Sequence, residues 1–321
     1  MILLEEQPTS PPWRINCLNT CQDMFTYTKN EIPQDTLRNI FNHHARSHTN
    51  SYQIFTDGSK TEEGVGYAYT CMDHSHQCRI SRIATIFTAE LFAIRDAVNY
   101  AESNLQNLQT ITIHSDSKSA IQAISSPHPK NPIIHQIQTL IINSHKSYSM
   151  CWVPSHIGIR GNEEADRLAG ECIRTLQIAP HSLPRSDHKC SIKQRIKRAW
   201  HSSWQSNTLN KLRDSLPNVA KKYKDNLPRS WSTKLTRLRI GHTRLTHEYL
   251  IKKEPQPFCM ECLVPLTIKH ILIECPSFAQ HRGIFGFPGP PTLSEVFKPE
   301  NAGLNGPLHN FLKTINVFNK L

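Results

Sequence analysis

The chain has 321 residues, 38% hydrophobic and 20% charged, with a formal net charge of +11. That length corresponds to about two domains with ordinary buried cores. No run of 18 apolar residues occurs, which excludes a membrane-spanning helix, and the start Met1-Ile2-Leu3-Leu4-Glu5-Glu6 lacks the basic stretch of a secretory signal.

Ten cysteines are scattered, and only one group has regular spacing. That usage suits a reducing, intracellular compartment (cytoplasm or nucleus) and argues against secretion and a disulfide framework. Charge is unevenly divided: residues 180–321 hold 23 Lys+Arg against 9 Asp+Glu, whereas residues 1–179 hold 14 against 17. The basic half is a candidate footprint for nucleic acid; the competing reading is a set of solvated helix faces.

Residues 1–50 carry little signal and read as a connector. Pro8, Pro11 and Pro12 give an extended start, and Glu31 to His44 suits one short helix. His43, His44 and His48 lie in a polar stretch and read as solvent-exposed rather than metal-binding.

From Tyr52 the pattern sharpens. Residues 52–56, Val65 to Tyr69 and Gln77 to Ile83 read as three strands of an antiparallel meander, with a turn at Glu62-Glu63-Gly64. Thr88 to Ala101 has apolar residues at Leu91, Ile94, Ala97, Val98 and Ala101, a helical period, with Thr88 as its cap. Residues 110–114 read as a fourth strand, Ser117 to Ser125 as a short helix, Pro132 to His145 as a longer one, and Ser149 to Val153 as a fifth strand. Asn162 caps a last helix with Ala165, Leu168, Ala169, Cys172 and Ile173 as its apolar stripe. The order βββαβααβα predicts an α/β fold, a mixed five-stranded sheet flanked by helices.

Four carboxylates sit where each is hard to justify structurally. Asp57 and Asp116 end strands; Glu90 and Asp166 lie on helix faces turned toward the sheet. A buried, isolated carboxylate is costly, so convergence of the four calls for cations. Divalent ions with oxygen ligands suit such a site and support phosphodiester hydrolysis.

The stretches Thr56-Asp57-Gly58-Ser59, Thr88-Ala89-Glu90-Leu91, His114-Ser115-Asp116-Ser117, Trp152-Val153-Pro154-Ser155-His156 and Gly161-Asn162-Glu163-Glu164-Ala165-Asp166 together resemble the type 1 ribonuclease H family. Two neighbouring groups fit less well. Related exonucleases open with Asp-x-Glu, and related integrases end on glutamate. The resemblance implies a ribonuclease H-like fold and an endoribonuclease that cuts the RNA strand of RNA–DNA hybrids with two Mg²⁺ ions, Mn²⁺ being an alternative. It implies that Asp57 bridges both ions, that Glu90 and Asp116 complete one shell and Asp166 the other, and that His156 protonates the leaving oxygen or assists product release. Backbone groups around Gly58, Ser59 and Lys60, with side chains near Glu90 and Ser117, are the expected readers of the 2′-hydroxyl. The basic helix that some members insert is not seen between Ser125 and Pro132.

Residues 177–189 read as a Pro-containing linker and 190–255 as a basic helical region. Ile192, Ile196, Ala199, Trp200 and Trp204 recur at helical spacing with Lys193, Arg195, Lys197 and Arg198 mostly off that stripe, so the tryptophans read as core; Lys234 to Leu250 is a further basic amphipathic segment. Then comes Cys259-x2-Cys262-x7-His270-x4-Cys275. Three thiolates and one imidazole suit a closed, structural Zn²⁺ site over residues 256–282. Arg239 to Thr243 and Thr267 to Leu272 resemble the segment that follows ribonuclease H in arthropod-type non-LTR retrotransposons, so the chain reads as the tail of a longer polyprotein. Residues 283–321 read as a Gly/Pro-rich tail with a short helix from Leu308.

With the ribonuclease H-like domain at 51–176, the first functional reading is a hybrid-cutting nuclease whose basic C-terminal region also binds nucleic acid. The alternative is a catalytically silent retrotransposon remnant that binds nucleic acid without cutting it. No membrane partner is expected, and oligomeric state is not legible.

Overall fold

The computed structural model describes residues 19–21, 32–47, 50–208, 210–218, 226–286 and 291–321. The chain divides into two compact units, Met1–Ile192 and Lys193–Leu321.

The first unit is built on one mixed sheet. Its strands are β1 (Asn19–Cys21), β2 (Tyr52–Lys60), β3 (Val65–Thr70), β4 (Ser75–Ile80), β5 (Thr110–Ser115) and β6 (Ser147–Trp152). Their order across the sheet is β1-β6-β5-β2-β3-β4. The β2-β3-β4 meander is antiparallel; β5 pairs parallel with β2, and β6 parallel with β5. The helices are α1 (Gln34–Ser47), α2 (Ile86–Asn104), α3 (Lys118–Ile124), α4 (Pro132–Ile142) and α5 (Arg160–Thr175). From β2 to α5 the order is the expected βββαβααβα.

Leu91, Ile94 and Val98 of α2 and Ile133 and Ile137 of α4 share a buried cluster with Ile54, Tyr67, Ile111, Ile113 and Met150 of the sheet. Helix α5 packs close to β3. A Cβ on Gly66 would stand 2.3 Å from the Cys172 sulfur and 2.5 Å from the Ala169 carbonyl oxygen, so only glycine permits that approach.

Several local expectations are corrected. The cap of α2 is Thr85, whose hydroxyl accepts from the Thr88 N–H, so Thr88 lies inside the first turn. The cap of α5 is Ile159, and Asn162 is buried within that helix. Strand β4 ends at Ile80 rather than Ile83 because Ser81 to Ala84 turns, with the Ala84 N–H donating to the Ser81 carbonyl at 2.9 Å.

The N-terminal segment is more than a connector. β1 adds a sixth strand, parallel to β6, and Leu37 and Phe41 of α1 are buried with Val153, Ile157 and Ile159. His48 lies outside the described residues, and Cys151 on β6 is disulfide-bonded.

Helix α6 (Arg185–Ser206) starts inside the stretch read as linker. Residues 192–200 of α6 are all exposed, and Trp200 is 57% exposed, as are Ile192 at 55% and Ile196 at 61%. The expectation that this stripe is core therefore fails at Trp200. Trp204 is half-buried, with its indole N–H on the Leu216 carbonyl at 2.9 Å.

The second unit continues with α7 (Leu212–Ser215), α8 (Arg229–Ile240), α9 (Arg244–Lys252), α10 (Ala279–Ile284), α11 (Leu293–Val296), α12 (Pro299–Ala302) and α13 (Pro307–Thr314). The single amphipathic segment expected from Lys234 to Leu250 is two helices, broken at Gly241 with φ 80°. Trp231, Leu235 and Leu238 of α8 pack with Val296, Phe297, Leu308, Phe311 and Leu312. Residues 291–321, read as a tail, thus supply much of this core. No described helix is long and apolar enough to cross a membrane.

Candidate active site

Two acids are brought together by strand register alone. Thr56 of β2 pairs with Ser115 of β5 in a parallel ladder. The next residue on each chain is an aspartate, Asp57 and Asp116, and neighbouring strands lie about 4.8 Å apart. Asp116 is further fixed by Trp152, whose indole N–H donates to the Asp116 carbonyl at 2.9 Å.

The third acid comes from α2. Gly58 follows Asp57, and a Cβ there would stand 2.8 Å from the Glu90 nitrogen. The missing side chain lets α2 lie against β2 at this level. One carboxylate oxygen from each of Asp57, Glu90 and Asp116 lies within 4.8 Å of the others.

Asp166, on α5, is the outer member. Its carboxyl is close enough to that of Asp57 to raise the latter's pKa, and its Oδ2 lies 3.7 Å from His156 Nδ1. His156 is exposed and holds φ 56°, a left-handed backbone uncommon for a non-glycine residue. All five expected site residues therefore gather at one end of the sheet.

The electrostatics are those of crowded like charges. Burial pushes the Asp57 carboxyl up to about 9, with Asp116 and Asp166 adding to the shift. Burial first, then Asp57 and Asp116, raises Glu90 well above the carboxylate range. Asp116 is raised too, chiefly by burial. Glu90 Oε2 is buried and has no hydrogen-bond partner. An unsatisfied oxygen among three acids is unfavourable for a bare fold and suits a cation ligand. Oxygen donors of this kind fit Mg²⁺ or Mn²⁺.

Cys259, Cys262, His270 and Cys275 form a second cluster, their ligand atoms also within 4.8 Å of one another. Cys259 and Cys262 sit on a hairpin closed by the Cys259 N–H to the Val264 carbonyl at 2.8 Å. His270 and Cys275 bracket a π-helical turn, His270–Glu274. The Cys259–Cys275 and Cys262–Cys275 sulfur separations are 4.0 and 3.8 Å. A tetrahedral Zn²⁺ with bonds of about 2.3 Å requires about 3.8 Å between sulfurs. His270 Nε2 is buried without a partner, while Nδ1 lies 3.9 Å from a Glu274 oxygen. A carboxylate behind the imidazole is the usual way to orient a metal-binding histidine.

Asp187 was not singled out from sequence. It is 2% exposed and accepts from the Thr85 N–H at 3.1 Å and the Thr85 hydroxyl at 3.2 Å. It thereby fastens the start of α6 to the N-terminus of α2, the helix that carries Glu90.

Comparison with known proteins agrees with this geometry. Residues 49–174 match the family model described as RNase H. The chain is also similar to a protein of Enterococcus faecalis (strain ATCC 700802 / V583) named "Putative hydrolase EbsB", 28% identical over 127 residues that cover 37% of this chain and 88% of that protein. Residues 49–174 are an RNase H domain, and the match spans β2 to α5 with all four acids.

Proposed function

We propose that the chain is a metal-dependent endoribonuclease that hydrolyses the RNA strand of RNA–DNA hybrids. The observation that carries this reading is the convergence of Asp57, Glu90 and Asp116 with one buried carboxylate oxygen left unpartnered. Asp57, Glu90 and Asp116 would hold a divalent ion, and Asp166, beside them, would supply a further carboxylate ligand. What bound Mg²⁺ supplies is an activated water and neutralisation of charge on the scissile phosphate.

The protein's own groups do the positioning. The β2–β5 register holds Asp57 and Asp116 side by side, and α2 sets Glu90 against them. His156, exposed beside Asp166, would pass a proton to the leaving oxygen. Backbone groups at Gly58, Ser59 and Lys60 and the side chain of Ser117 flank the acids and are the readers of the 2′-hydroxyl.

The Cys/His cluster is read as a closed Zn²⁺ site with a structural role. Its sulfur spacing and the orphaned His270 Nε2 support that assignment. A retrotransposon origin is supported by the resemblance of Arg239–Thr243 and Thr267–Leu272 to the segment after ribonuclease H in such elements.

The exposed basic stretch 192–200 of α6 favours one second reading, a nucleic-acid-binding protein whose acid site is silent. Cleavage of a labelled RNA–DNA hybrid with Mg²⁺, beside an Asp116→Asn control, separates the two. Metal-dependent cleavage that falls at least ~10³-fold in the variant establishes the nuclease. Salt-sensitive binding with no cleavage sinks it and leaves the binding protein.

A further inference from the structure

A cleft of about 730 Å³ opens in the first unit away from the four acids. Its walls include Thr85, His128, Lys130, Asn131, Arg185 and Lys189. Three helices begin on it. Thr85 caps α2, Asn131 caps α4, and Arg185 is the first residue of α6. These helices are 19, 11 and 22 residues long. A helix N-terminus carries up to about half a positive charge, and the Asp187 carboxylate already sits at those of α2 and α6.

Lys130, Arg185 and Lys189 are exposed, and none has an ion-pair partner among the described residues. The one carboxylate lining the cleft is Asp187, and the Thr85 N–H, the Thr85 hydroxyl and the Ser186 hydroxyl all donate to it. It is consumed in fastening α6 to α2. Three cations and the N-terminus of α4, which has no acid in its first turn, are left to face an open cleft, a combination that attracts a multiply charged anion.

The position of the cleft says which anion. Thr85 is five residues before Glu90 on α2, so the cleft begins about 7.5 Å along the helix from the acid site. We propose that this cleft binds backbone phosphates of the polynucleotide whose cleavage the acid site is read to perform, an inference that rests on that reading. Lys130 comes from the RNase H domain, whereas Arg185 and Lys189 lie beyond residue 174, where the family match ends. The segment following the domain therefore completes its substrate groove. It does so where the loop between α3 and α4, residues 125–131, carries Lys130 as its one Lys or Arg.

The test measures binding in the full chain carrying Asp116→Asn, so that cleavage does not intrude. A labelled RNA–DNA hybrid is titrated over a range of salt, with and without Lys130→Ala, Arg185→Ala and Lys189→Ala together. Each lost phosphate contact lowers the salt slope by roughly one unit. The expected result is a slope reduced by about two to three units and affinity weakened at least tenfold near ~0.1 M salt, with the melting temperature held.

Charge reversal at Lys130 and Lys189 alone should weaken binding further than alanine does. Unchanged slope and affinity in both variants overturn the proposal. So does a cleft that takes a free mononucleotide while hybrid binding is unaffected. A parent that binds the hybrid through the cleft but never cleaves it overturns the nuclease reading and leaves the phosphate subsite standing.

Discussion

The acid cluster draws its carboxylates from two strands and two helices, at Asp57, Glu90, Asp116 and Asp166. The Cys/His cluster draws its ligands from one hairpin and one turn between residues 259 and 275. In the first case the fold assembles the site: a buried cluster that includes Ile54, Leu91 and Ile113 closes the sheet against α2 and forces like charges together. In the second the ligands are local, and Ile268, Ile271 and Leu272, on and beside the turn, belong to the buried core of the second unit. On the proposed reading, a divalent ion at the acids would serve the chemistry and relieve a repulsion the fold already tolerates. On the same reading, Zn²⁺ at the cysteines would set the conformation that delivers three core side chains.

The largest effect should come from breaking the second case. Structural Zn²⁺ sites in small domains contribute on the order of 10 kcal/mol to folding. Cys275→Ser, or chelation of Zn²⁺, should therefore abolish cooperative melting of the second unit while the RNase H domain melts as before. Residue-resolved hydrogen exchange reads this directly: amides of α8 and α13 lose protection and those of β2 and β5 keep it. Equal protection in both units after chelation would show that the core around Trp231 and Phe311 stands without the ion.

The acid cluster predicts a smaller effect of the opposite kind. Asp57 titrates near 9 in the metal-free fold and near 3.8 as a free side chain. Between those values the folded protein holds a proton that the unfolded chain has released. Stability therefore falls as pH rises through that window, by at most about 4 kcal/mol at pH 7 for this group. Thermal melts in chelator should show the RNase H domain losing stability from pH 5 to 9. Mg²⁺ should restore it at the alkaline end, and Asp57→Asn should flatten the profile while raising metal-free stability near neutrality. A melting temperature independent of pH in chelator would mean that the acids are better solvated than their burial implies.

Legibility in the sequence followed the same division. The acids were readable because each stands beside residues that mark a strand end or helix face, and their convergence follows from topology. Register made it concrete, since Thr56 opposite Ser115 leaves Asp57 beside Asp116. The Cys/His cluster was readable from spacing alone.

What escaped were elements too short to show a period. β1 has three residues, and α11 and α12 have four each. Leu293, Val296 and Phe297 were thus hidden among prolines and glycines, although they are buried. Trp200 escaped differently, because an amphipathic period predicts a stripe and says nothing of whether another element covers it. Thr85 and Thr88 both suit a cap, and the choice fell to tertiary packing: Asp187, far along the chain, binds the Thr85 N–H. The Thr85 hydroxyl also accepts from the Thr88 N–H, so a local cap and a distant carboxylate act at the same residue.

His156 gives the smallest effect and the sharpest separation of function from fold. Its backbone sits at φ 56° in a loop whose Gly158 is also left-handed, at φ 79°. Any residue with a Cβ is strained there by about 1–2 kcal/mol, and glycine is not. The side chain is exposed, with Asp166 3.7 Å away, so it contributes little packing. If the imidazole moves a proton for the leaving oxygen, His156→Ala and His156→Gly should both lower kcat about 100-fold and leave KM nearly unchanged. The two variants should part in stability, with the glycine chain melting above the alanine chain and at or above the parent. Equal kcat loss with opposite stability shifts would locate the function of His156 in its ring. A kcat retained in the glycine variant would locate it in the loop conformation, with the imidazole dispensable.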